Sequence, residues 1–124
     1  MSDRHALDVD TPLNPVDVER AIRAISNEVA LGVRTRSDAL RDFRAAEREF
    51  DRAFARAFMK FAGPAHSKRY AAEIATQVER ETRDVAEVAW KYADNQGRAL
   101  ELELSSYQSI NRGLGAMYGA AGAS

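Results

Sequence analysis

Between Arg44 and Gly63 the chain reads RAAEREFDRAFARAFMKFAG, with Arg44, Arg48, Arg52, Arg56 and Lys60 at every fourth position. Residues four apart are neighbours on a helix, so this spacing raises a ridge of cations along one face. Such a ridge suits phosphate, because guanidinium and ammonium groups supply charge-assisted donors without reading a base sequence. Like charges at this spacing cost roughly 0.2–0.5 kcal/mol per pair unless acids lie among them. Glu47, Glu49 and Asp51 relieve Arg44 and Arg48, which therefore belong to an ordinary solvated face. Past Asp51 the acids stop. From Arg52 to Arg69 the chain holds Arg52, Arg56, Lys60, Lys68 and Arg69 without one Asp or Glu, a local charge of +5 with His66 among them.

Two readings of this cluster stand. In the first, cations at a helix end suit its dipole, and the segment from Glu73 to Glu103, where eight acids meet four bases, pairs with them across a hairpin. In the second, Arg52, Arg56, Lys60, Lys68 and Arg69 form a nucleic-acid-binding patch at the hairpin tip. That patch would bind phosphate non-specifically, since the sequence offers neither interleaved aromatics for single strands nor a recognition helix.

The C-terminal stretch LELELSSYQSINRGLGAMYG is a candidate oligomer interface. Tyr107, Ile110, Leu114 and Met117 follow at three, four and three residues, the spacing of a heptad seam, and Gly113 and Gly115 admit a close backbone. The same spacing serves an ordinary core. GLGAMYG is no dinucleotide loop, because its glycine spacing is wrong and no strand precedes it.

Catalytic chemistry finds no constellation. His5 and His66 lack a paired ligand at metal spacing, Asp8 and Asp10 form only a solvated pair, and the chain has no cysteine for a thiolate, a disulfide or a metal. The expectation is a non-enzyme without metal, cofactor or small-molecule substrate. Trp90 reads as a packing anchor, with an interface role as the alternative.

Helices must position these groups. Asn14 as N-cap, Pro15 at the first helical position and Asp17 in the first turn open a helix predicted to run to about Val33. Val18, Ile22, Ile25 and Val29 make its apolar stripe. Thr35 with Asp38, or Ser37, then reads as the cap of a second helix. It carries all five phenylalanines, Phe43, Phe50, Phe54, Phe58 and Phe61, and ends at Gly63-Pro64. From Ser67 onward there is no proline, and Ile74, Val78, Val85, Ala89, Tyr92, Leu100, Leu104, Tyr107, Ile110, Leu114 and Met117 keep a near-helical period. Unbroken, about 50 residues would span roughly 75 Å. Such a helix either breaks near DNQG, where Asn95 and Gly97 are weak formers, or buries its overhang in a partner.

The expected fold is therefore all-α: an antiparallel helical bundle of two shorter helices and one long C-terminal helix, broken or continuous at Gly97. One helical domain over 14–118 lies between a mobile tail at 1–13 and a frayed end at 119–124. The chain has 124 residues, 45% hydrophobic and 30% charged, with a net charge of −1, so any electrostatic attraction is local. The polar MSDRHALDVD start and the lack of a long apolar run predict a soluble cytoplasmic protein without membrane contact.

The last third, VAWKYADNQGRALELELSSYQSINRGLGAMYGAAG, resembles the C-terminal part of small helical proteins encoded by bacteriophages and prophages. The shared features are a Tyr-Ala segment, a Leu-rich helix and a Gln-Ser motif near the end. The resemblance implies a setting in phage DNA metabolism or particle assembly and transfers no functional residue. The function expected is a non-catalytic accessory role in replication or recombination, with a basic tip on phosphates and a self-associating long helix. The alternative is a protein-binding adaptor, inhibitor or assembly factor without nucleic-acid contact.

Overall fold

The computed structural model describes residues 14–123, with side chains to residue 119. The expected N-terminal tail, His5 and the Asp8/Asp10 pair lie outside the described residues. Within them the chain is all-α, as expected, in three helices: α1 (Pro15–Lys60), α2 (Ala65–Ala75) and α3 (Gln77–Ala123).

The start of α1 follows its sequence signals. The Asp17 amide donates to Asn14 Oδ1 at 3.0 Å, Asn14 Nδ2 donates to Asp17 Oδ2 at 2.6 Å, and the Asn14 carbonyl accepts from Val18 at 3.1 Å. Two residues thus satisfy each other and the helix end, while Pro15 needs no donor there.

The two shorter helices expected on either side of Thr35 are one helix. Val18, Ile22, Ile25, Val29, Gly32 and Arg36 step by four and three residues, and Ala39, Phe43, Ala46, Phe50, Ala53 and Ala57 continue the alternation unbroken. Every one of these positions is buried or half-buried. A seam that keeps its phase through Gly32 and Arg36 gives the helix no reason to stop, and tertiary packing outweighs the capping potential of Thr35 and Ser37. Asp38 spends its carboxylate on Arg41, 3.4 Å away within the helix.

Helix α1 does end before Gly63-Pro64. Gly63 has φ +118°, a conformation that costs an L side chain dearly, and Pro64 takes the N-cap of α2, its carbonyl accepting from Lys68 at 3.0 Å. Thr76 alone separates α2 from α3. Its amide and its hydroxyl both donate to the Ala72 carbonyl, at 3.1 and 2.7 Å, the back-bonding that bends helices. Arg80 Nη2 donates to the Glu73 carbonyl at 3.4 Å, the group that Gln77 would take in a regular helix. The helical run that follows Pro64 is thus interrupted at Thr76, and α3 passes through Asn95 and Gly97, where a break was one of two alternatives, uninterrupted.

The chain divides into two compact units: residues 14–34 with 95–123, and residues 35–94. In the first, Val18 and Ile25 are fully buried with Ala21 beside them, and Leu100, Leu104, Tyr107 and Leu114 of α3 are half-buried. In the second, contacts fall along α2 and α3 as they rise along α1. Arg36 meets Asp94, Phe43 meets Trp90, Arg83 lies over Phe50 and Lys68 over Phe58, which defines an antiparallel hairpin.

One phase differs from expectation in this unit. Ile74, Val78, Val85, Ala89 and Tyr92 were expected to face inward, and all five are exposed. The seam runs instead through Ala72, Thr76, Glu79, Arg83, Ala86, Trp90 and Ala93, again at alternating four and three. The physical reason is volume. Phe43, Phe50, Phe54 and Phe58 fill the interior from α1, and rings of that size need small partners and extended guanidinium stems rather than valines.

Candidate functional site

The five cations singled out by the sequence all fall in the 35–94 unit. Arg52, Arg56 and Lys60 sit one turn apart on the last turns of α1, and Lys68 and Arg69 stand in the first turns of α2. The turn at Gly63 and Pro64 brings the two sets to one end of the hairpin, as the Lys68 contact with Phe58 shows: its Nζ lies 5.1 Å from the ring centroid. His66 is exposed in the same first turn of α2.

Three of these cations have carboxylate partners on their own helices. Arg52 and Arg56 share one carboxylate, Glu49, at 3.9 and 3.4 Å, and it lies on their own helix. Arg69 reaches Glu73 at 3.5 Å, four residues along α2. Lys60, the last residue of α1, engages no carboxylate among the described residues. Three acids of α3 have other partners: Asp84 with Arg83, Glu87 with Lys91, and Asp94 with Arg36. Thus the ion pairs at the tip among the described residues run along helices and not across the hairpin.

These pairs are weakly held. The Arg52, Arg56 and Arg69 side chains are about two-thirds exposed, and pairs of that kind contribute only ~0–1 kcal/mol each. An incoming phosphate with its own charge and oxygens can take the same donors at little loss. Beside them, Arg56, Lys60, Ala57, Phe61, Thr76 and Glu79 help to line an open groove of about 370 Å³. Glu79 places one carboxylate in that groove beside Arg56 and Lys60.

The second set of sequence candidates has a different environment. Tyr107, Ile110 and Leu114 are half-buried in the 14–34/95–123 unit, and only Met117 of the four is largely exposed, at 62%. A Cβ added at Gly113 or Gly115 would meet nothing within 4 Å, so neither glycine is needed for a close approach within the chain. Trp90 is a packing anchor, stacked on Phe43.

Sequence reasoning missed an exposed apolar stripe. Val78, Val85, Val88 and Tyr92 on α3 are each about two-thirds or more exposed, as is Ile74 on α2. The signal that marks it is the run of Ala72, Ala86 and Ala93 at seam spacing: small residues opposite a phenylalanine row claim the inside and send the valines out. Among the described residues no group of three or more His, Cys, Asp or Glu side chains is placed to hold a metal ion. No described helix is long and apolar enough to cross a membrane.

Comparison of the chain with protein-family models, with curated proteins and with solved structures returned no match.

Proposed function

We propose that this protein is a non-catalytic accessory factor of nucleic-acid metabolism, of the phage type that its C-terminal third resembles, which contacts the phosphate backbone through the hairpin tip. The observation that carries the reading is the ion pairing at the tip. Five cations share one end of the hairpin, and among the described residues the carboxylates that pair with them are Glu49 and Glu73, in exposed pairs along the same helices. Arg52, Arg56 and Lys60 supply the ridge; Lys68 and Arg69 extend it across the turn. Contacts of this kind fix a duplex or strand by charge and leave its sequence unread.

Fluorescence anisotropy with labelled single-stranded and duplex DNA over a salt series tests this. Binding should weaken steeply as salt rises, and the triple change Arg52→Glu, Arg56→Glu, Lys60→Glu should abolish it with the helical content unchanged. Absence of binding to either DNA at low salt overturns the proposal.

A further inference from the structure

The outer face of α3 is where the structure departs most from a self-sufficient domain. Val78, Val85 and Tyr92 are spaced by seven residues, and Val88 falls three after Val85 and four before Tyr92. Their exposures are 71, 71, 65 and 67% respectively, on the side of α3 opposite Trp90. With Ile74, 69% exposed on α2, these side chains present apolar area to solvent that sums to roughly 600 Å², against the ~800 Å² that one partner contributes to a stable protein interface.

The chemistry around the stripe narrows its occupant. Glu81 stands within it, Asp84 and Lys91 flank it on one side, and Thr82 and Ala89 flank it on the other. The Glu81 carboxylate in the stripe disfavours an anionic membrane surface or a nucleic acid. The N-terminal segment of the chain has Asp3, Asp8 and Asp10 against one arginine, so it too is repelled. A repeat of 3.5 residues selects another helix, one that also brings a cation to Asp84 and a donor to Glu81.

We propose that the stripe is the seam by which a second copy of this chain docks antiparallel, α3 against α3. In an antiparallel pair each residue at the first core position of the heptad faces one at the fourth. Val85 then faces Val88 of the second copy, and Glu81 faces Tyr92, setting a carboxylate against a phenol O–H donor. In the same register the flanking Asp84 lies beside Lys91 of the second copy, and the two-fold axis repeats each contact. Among the described residues Asp84 and Lys91 each have a local partner to give up, the half-buried Arg83 at 3.1 Å and Glu87 at 3.7 Å. Self-association thus uses the outside of α3, and the seam stands independently of phosphate binding.

Light scattering and a cysteine-mixing assay test this on the full chain. The wild-type protein should show twice the monomer mass at high concentration, and Val85→Asp should halve it while the helical circular dichroism signal stays unchanged, because the residue is exposed in the single chain. The chain has no native cysteine, so an equimolar mixture of Val85→Cys and Val88→Cys chains can be oxidised without side products. The mixed disulfide should exceed either homodisulfide several-fold. A wild-type monomer at all concentrations, including one whose stripe serves a different protein, overturns the proposal, as does a dimer that Val85→Asp leaves intact. Preference for the Val85→Cys homodisulfide would mean a parallel pair and overturns the register.

Discussion

Phe43 of α1 and Trp90 of α3 stack as offset, nearly parallel rings, their centroids 5.8 Å apart and their planes 10° apart. Phe43 is buried at 6% exposure, and the pair holds the middle of the antiparallel hairpin formed by residues 35–94. Truncating either ring removes both transfer free energy and packing, so Phe43→Ala and Trp90→Ala should each cost about 3–5 kcal/mol. Urea denaturation of the two single variants and the double variant should return a coupling of roughly 0.5–1.5 kcal/mol, the excess of an aromatic pair over its area. Additive losses would mean that the rings pack independently.

Arg36 occupies a seam position of α1 where a heptad expects an apolar residue, and its Nε lies 3.5 Å from Asp94 Oδ1 with the side chains 29% and 22% exposed. Removing one partner takes a close counter-charge away from the other in a half-buried site. Asp94→Ala should destabilise by about 1–3 kcal/mol, less than a fully buried pair would because water still reaches both groups. Replacing both, as Arg36→Met with Asp94→Leu, should recover most of that loss. Thermal melts at matched concentration would show it, and a double variant worse than Asp94→Ala would assign the pair a net stabilising role.

The contrast between Arg36 and Asn14 explains how much of the fold was legible. The start of α1 was readable because Asn14, Pro15 and Asp17 act on each other within one turn, and the structure realises all three signals. The terminator at Gly63-Pro64 was readable for the same reason. The continuity of α1 through Thr35 was not, because it depends on a seam whose members there are Gly32 and Arg36, residues that carry no apolar signal and acquire their place only from what packs on them. Likewise the valines of α3 looked like core until the phenylalanine row of α1 claimed the volume. The composition of the basic tip was legible from charge counting alone, whereas the partners Glu49 and Glu73 required coordinates.

Two glycines separate backbone from packing. Gly32 lies inside α1, and a Cβ there would meet nothing within 4 Å, so Gly32→Ala should stabilise by about 0.5–1 kcal/mol through helix propensity alone. Gly63 also has open space around it but sits at φ +118°, so Gly63→Ala should destabilise by roughly 1–2 kcal/mol from backbone strain. Opposite shifts in melting temperature are the expected result. A Gly32→Ala variant without gain would mean that α1 is interrupted at that point in solution.

Glu49 offers the sharpest handle on the tip, because its one carboxylate touches both Arg52 and Arg56. If those guanidinium groups bind phosphate, Glu49 competes with the ligand, and Glu49→Gln should tighten DNA binding. The exposed pairs it loses contribute at most ~1 kcal/mol each, so the melting temperature should hardly move. The salt dependence gives a second reading. If all five cations of the tip contact a duplex, log affinity should fall against log salt with a slope near −4.5, and with a shallower slope of about −3.5 on single strands. Converting Lys60 to Gln removes one contact and should reduce the duplex slope by about 0.9. Anisotropy titrations of these variants check both effects. Tighter binding by Glu49→Gln with a slope unaltered by Lys60→Gln would place the phosphate on the Arg52 and Arg56 side of the ridge, away from the turn.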